Sequence, residues 1–174
     1  MLPAAYVWLA REAGPKLLLE MLKLYGTVEA PGSADNPTIL AWAKECGIAG
    51  YSHDAVPWCG LTMAVAAHRA GYPIPARPLR ALDWAKWGNE ASVPMLGDVL
   101  VFKRDGGGHV TLYVGEDAGA YHCMGGNQSD RVNVTRIAKA RLHAARRSPF
   151  CVAQPANVRR VHLAAGGALS TNEA

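Results

Sequence analysis

Three consecutive glycines, Gly106 to Gly108, stand between two apolar and β-branched runs, Asp98 to Phe102 and His109 to Val114. Runs of that length and composition read as strands, and the connector Lys103-Arg-Asp-Gly-Gly-Gly108 reads as a hairpin turn, so the two are expected to pair antiparallel. Two further runs, Ala120 to Met124 and Arg131 to Ile137, flank a segment of turn-forming residues, Gly125-Gly-Asn-Gln-Ser-Asp130. A sheet therefore occupies the second half of the chain.

The first half carries helical periodicity. Apolar residues recur at helical spacing from Pro3 to Ala13 and from Pro15 to Tyr25, with Gly14-Pro15 as the break and Gly26 as the stop. Asn36 is a natural N-cap for a helix with Pro37 at its first position, running through Ile39, Leu40, Trp42 and Ala43 to Gly47. After the proline-closed loop His53 to Cys59, an alanine-rich helix is expected from Gly60 to Ala70, ended by Gly71. A short helix around Leu82 to Trp87 lies between proline-marked connections. Helices first and strands second is the order of an α+β fold. The 174 residues suffice for one domain without disulfide staples. We expect that domain to span residues 1–152, with residues 153–174, small and polar, forming a flexible tail.

Composition excludes more than it selects. A formal charge of +4 gives weak attraction to nucleic acid, acidic lipid or bacterial wall without choosing among them. Arg141, Arg146, Arg147, Arg159 and Arg160 lack the interleaved aromatics of a single-strand groove, so no nucleic-acid partner is expected. Cys46, Cys59, Cys123 and Cys151 show neither CxxC spacing nor a repeated Cys/His pattern, so they read as thiols, with no metal and no cofactor. Arg11, Glu12, Lys16, Glu20 and Lys23 interrupt the N-terminal apolar stretch well short of a membrane span. No signal-peptide pattern precedes it, so synthesis in the cytoplasm is expected.

The chemistry concentrates on one cysteine. A thiol attacks a carbonyl as thiolate, and a helix N-terminus favours that form by presenting unpaired amides and a positive dipole. Cys59 holds this position, and the same amides suit an oxyanion. His109, directly after three glycines at a strand start, is the expected base, and the glycines leave room for a substrate backbone. A third group should accept the second ring proton. Asn127, after Gly125-Gly126 on the neighbouring strand, is the expected one, with His122 as runner-up.

Asp54-Ala-Val-Pro-Trp-Cys59, Gly97-Asp-Val-Leu-Val-Phe-Lys-Arg104, Gly108-His-Val-Thr-Leu-Tyr-Val-Gly115 and Gly125-Gly-Asn-Gln128 follow one another in telling order and spacing. Together they resemble the CHAP and NlpC type of papain-like cysteine peptidases and amidases, specifically a bacterial and phage cell-wall hydrolase subgroup that shares an Asn36-Pro37-like helix start. The resemblance spans roughly Ala5 to Phe150. It implies a cysteine helix packed on an antiparallel sheet and a catalytic set of Cys59, His109 and Asn127. It also implies peptidoglycan as substrate, cut as by an endopeptidase or an N-acetylmuramoyl-alanine amidase. A phage endolysin or antibacterial effector would fit, monomeric and acting on the wall after release or delivery, with any immunity or delivery partner unspecified. Trp58 and Asp54 match the pattern as supporting residues, Trp58 as core or groove wall and Asp54 as a cap of the cysteine helix. Gly60 stands where the subgroup usually has alanine or serine. The alternative is a non-catalytic wall-binding or structural module with an idle thiol.

Overall fold

The computed structural model describes every residue except Asp105, Val152 and residues 172–174. Its N-terminal segment Ala4–Arg11 is a 3-10 helix rather than an α-helix. Helix α1, Lys16–Leu24, buries Leu17, Leu18, Met21 and Leu24, the one-sided stripe that its periodicity predicts. Helix α2, Pro37–Glu45, begins as expected: the Asn36 side-chain oxygen accepts the Thr38 amide at 2.8 Å, and Pro37 occupies the first turn.

Helix α3, Cys59–Arg69, is buried from Cys59 through Ala67. Its small side chains let α1 and the sheet approach it from different sides, and Leu61, Met63 and Val65 are fully buried there. Burial of side chains of this size stabilises by about 1.5–3 kcal/mol each, which fixes the helix whose first residue is Cys59.

Six strands form one antiparallel sheet: β1 Asn89–Glu90, β2 Val99–Arg104, β3 Gly107–Glu116, β4 Ala120–Gly125, β5 Asn133–Ala138 and β6 Leu142–Arg147, in the order β1-β6-β2-β3-β4-β5. The chain is thus an α+β fold. The central hairpin pairs Phe102 with His109 and Arg104 with Gly107. On its other side β3 pairs with β4 only from Leu112 to Glu116, so Gly107 to Thr111 runs past the end of β4. That overhang is where the site assembles.

Both faces of the sheet are covered. Val99, Val101, Val110 and Leu112 join the helical core, whereas Leu100, Phe102, Tyr113, Tyr121 and Ile137 form a second cluster with Leu142. Strand β6 was not foreseen, because its Leu-His-Ala-Ala-Arg-Arg sequence reads as surface charge. Those arginines work as fasteners: Arg146 donates to Trp87 O at 2.6 Å, and Arg147 makes a two-pronged ion pair with buried Asp98 at 2.7 and 2.9 Å.

The C-terminal segment corrects the expectation of a flexible tail from residue 153. Leu96 donates to Arg159 O, Glu116 donates to Val161 O, and Leu163 donates to Glu116 O, all at 2.8–2.9 Å. Val158 is buried, and Arg160 meets the buried carboxylate of Glu116 at 2.7 Å. The end of β3 leaves backbone groups without partners in the sheet, which residues 161–163 satisfy, and Arg160 joins Lys139 on the Glu116 carboxylate. Among the described residues no helix is long and apolar enough to cross a membrane.

Candidate active site

Trp58 precedes α3 without offering a side-chain cap. The amides of the first turn are therefore left for something else. The amides of Cys59, Gly60 and, on the β3 overhang, Val110 act on the Cys59 thiol and favour its thiolate form. Cys59 is almost wholly buried, and burial pushes its thiol up, while these amides and the charge of Arg104 pull it down. Burial prevails, so the resting group is the neutral thiol.

Gly60 has a steric explanation. A Cβ at this position would come within 2.8 Å of Leu79 O and closer still to Pro78 O. The first turn of α3 lies against the backbone of residues 78–79, and alanine or serine would push it off. Gly108 is likewise occupied space rather than a substrate passage, since the Leu82 side chain fills it, with Cδ2 2.7 Å from where a Cβ would be.

His109 is the third residue of β3 and is completely buried. Its Nε2 faces Gln128 Oε1 at 3.1 Å. The amide orientation is fixed by what the other end of Gln128 does: Nε2 donates to Asn133 O at 2.9 Å, to Asn133 Oδ1 at 3.0 Å and to Cys123 O at 3.3 Å. Oε1 is thus an acceptor, and His109 Nε2 must carry the proton. The lone pair of the neutral ring is then on Nδ1, the nitrogen suited to act as base.

Here the expectation for Asn127 is corrected by one residue. Asn127 is buried but adopts φ 55°, the left-handed conformation that asparagine tolerates better than most residues. It turns the chain, and the next residue, Gln128, delivers its side chain to His109. Gly125 and Gly126 bring this turn into place. A Cβ on Gly125 would come 2.6 Å from Thr111 Oγ1, and one on Gly126 2.8 Å from the Trp58 ring. Thr111 adds a longer contact to Gln128 Oε1 at 3.4 Å.

His122, the runner-up, belongs elsewhere. Its Nε2 meets Asp117 Oδ2 at 2.9 Å and its Nδ1 meets Tyr6 Oη at 2.7 Å. Asp117 is also held by Arg136 at 2.7 Å, and this guanidinium keeps its carboxyl well below the usual carboxylate range. Trp58 is core rather than a groove wall: it is fully buried, donates from Nε1 to Glu29 Oε2 at 2.9 Å and tilts against Trp42. Asp54 does not cap α3. It accepts from Ala30 N at 2.9 Å and Asn36 N at 2.8 Å, tying the loop before α2 to the loop before α3.

The sequence reading missed Gln128 and Arg104. Gln128 closes the Gly125-Gly-Asn-Gln128 motif and has the same amide chemistry as Asn127. Arg104 stands at the mouth of the hairpin, where composition shows only a charged turn. No group of three or more His, Cys, Asp and Glu side chains is placed to hold a metal among the described residues. Comparison with models of known protein families gives no match, and comparison with curated proteins gives none.

Proposed function

We propose that this chain is a cysteine-dependent amide hydrolase of the CHAP and NlpC papain-like type that cuts bacterial peptidoglycan. The observation that carries the chemistry is that the β3 overhang supplies both an amide facing the Cys59 thiol and a histidine whose tautomer is fixed. The Cys59 thiol sits at a helix N-terminus beside Val110 N–H, His109 precedes Val110, and Gln128 fixes the His109 tautomer. His109 Nδ1 takes the thiol proton as Cys59 Sγ attacks the amide carbon, and the first-turn amides of α3 receive the developing oxyanion. The proton then passes to the leaving amine, and water, activated by the same ring, releases the acyl group. Gln128 is a positioning residue, and Asp54 and Trp58 hold the loops around the cysteine.

The choice of peptidoglycan rests on the four ordered motifs from Asp54 to Gln128. A lysin or delivered antibacterial effector, monomeric and cofactor-free, is the setting that fits them. One observation favours the second reading, a wall-binding module with an idle thiol: burial keeps the Cys59 thiol neutral at rest. Digestion of purified peptidoglycan followed by mass spectrometry separates the two. New amide-derived ends with wild type and none with Cys59→Ala support the hydrolase and identify the bond. Tight sedimentation with the wall but identical fragments from both proteins establishes the module instead.

A further inference from the structure

Arg104 ends β2, and the register sets Phe102 opposite His109 and Arg104 opposite Gly107. Residues two apart on a strand share a face, so Arg104 and His109 are diagonal neighbours on one side of the hairpin. The guanidinium is also near enough to Cys59 to favour its thiolate.

Arg69, Arg136, Arg147, Arg159 and Arg160 all hold carboxylates of the chain. Arg104 does not: its Nε is buried, and no group among the described residues hydrogen-bonds it. It lines a cavity of about 630 Å³ with Lys103, Ala138, Arg141, Leu169, Ser170 and Thr171. Lys103 and Arg104 line this space, and a buried guanidinium donor without an acceptor among the described residues calls for an anion.

Resting on the hydrolase reading, we propose that this cavity binds a carboxylate of the substrate peptide, with Arg104 as its fork-shaped anchor. An acidic side chain or free chain end seated there would lie on the His109 side of the hairpin. The scissile amide would then be held within reach of Cys59. The substrate class is therefore an acidic peptide, and Arg104 sets specificity through a contact that an uncharged carboxamide cannot replace.

Two measurements on the full chain test this. In the first, the Arg104 Nε–Hε resonance of ¹⁵N-labelled protein is followed while glutarate, and separately inorganic phosphate, is added. Glutarate is expected to shift it saturably. An unmoved resonance, or one that responds to phosphate alone, overturns the carboxylate site whatever the hydrolysis result. In the second, kcat/KM is compared on paired wall peptides that differ only in carrying a carboxylate or its carboxamide. Arg104→Gln is expected to lose activity on both peptides through the Cys59 thiol, and roughly ten- to a hundred-fold more on the carboxylate peptide than on the carboxamide. Arg104→Lys should recover part of the loss, and it carries the comparison if Arg104→Gln fails to fold. Equal losses on both peptides overturn the proposal and leave Arg104 acting on the thiol alone. Glutarate binding without cleavage of either peptide by wild type would sink the hydrolase reading while supporting the anion site.

Discussion

Replacing Gln128 by alanine isolates the contact that separates the observed site from the one expected around Asn127. The side chain is fully buried and spans two groups of partners, His109 Nε2 and Thr111 Oγ1 at its oxygen, and the Asn133 and Cys123 oxygens at its nitrogen. Each buried polar group left unsatisfied costs about 1–3 kcal/mol. Some of the partners have other acceptors or donors, so a total loss of about 3 kcal/mol is expected. For a domain of this size that is a drop of roughly 6–12 °C in melting temperature. The ring of His109 also loses the group that keeps its proton on Nε2, so both tautomer and orientation drift. Misplacement of a catalytic group by about 1 Å costs on the order of a hundred-fold in rate, so kcat should fall by about ten- to a hundred-fold with KM little changed.

The paired variant is Asn127→Gly, which keeps the left-handed turn without strain. It should retain kcat within about two-fold. Release of soluble wall fragments, measured by chromatography and normalised to folded protein by circular dichroism, reads both. If Asn127→Gly loses as much activity as Gln128→Ala, or Gln128→Ala retains full kcat, the assignment of Gln128 as the residue that positions His109 is refuted.

His122→Ala should lower the melting temperature, because Tyr6 and Asp117 lose a buried partner, while kcat per folded molecule stays near wild type; a selective loss of kcat would return His122 to the site. Asp117 has its carboxyl depressed first by Arg136, so its contribution to stability is present above the ordinary carboxylate range and is lost as pH falls through and below about 4. Melting curves from pH 7 to pH 2 should accordingly show a shallower acid limb in Asp117→Asn than in wild type. Deleting residues 157–174 should lower the melting temperature by roughly 4–8 °C, since Glu116 keeps Lys139 but loses Arg160, and backbone groups of β3 lose their partners; an unchanged melt would show that the segment only rests on the sheet.

The sequence was most legible where function depends on local chemistry. The Asn36-Pro37 cap, the placement of Cys59 at a helix start and the Gly-rich hairpin each follow from interactions between near neighbours. They appear in the structure within a residue or two of expectation. The features that escaped depend on partners distant in sequence. Strand β6 is Ala- and Arg-rich, with little β propensity of its own, and is held by Trp87 and Asp98 from elsewhere in the chain. The C-terminal segment has few apolar anchors, and its docking is visible only once the end of β3 presents the Glu116 carboxylate and backbone to Arg160, Val161 and Leu163.

The one-residue error at Asn127 has a more specific cause, and it bears on how such sites are read. Asparagine and glutamine offer the same amide, so composition cannot rank them at adjacent positions. What ranks them is the backbone. Asn127, Ser129 and Asp130 all take positive φ, at 55°, 53° and 59°, and residues in that conformation turn the chain rather than extend it. A short polar residue suits such a position because its side chain stabilises the turn locally. The longer glutamine between Asn127 and Ser129 keeps the reach to cross to His109, and Asn133 clamps it from both sides, accepting from Gln128 Nε2 and donating to Gln128 O at 2.9 Å. In a Gly-Gly-Asn-Gln turn following a strand, the asparagine is therefore the turn former, and the glutamine is the residue with the length to act across the gap.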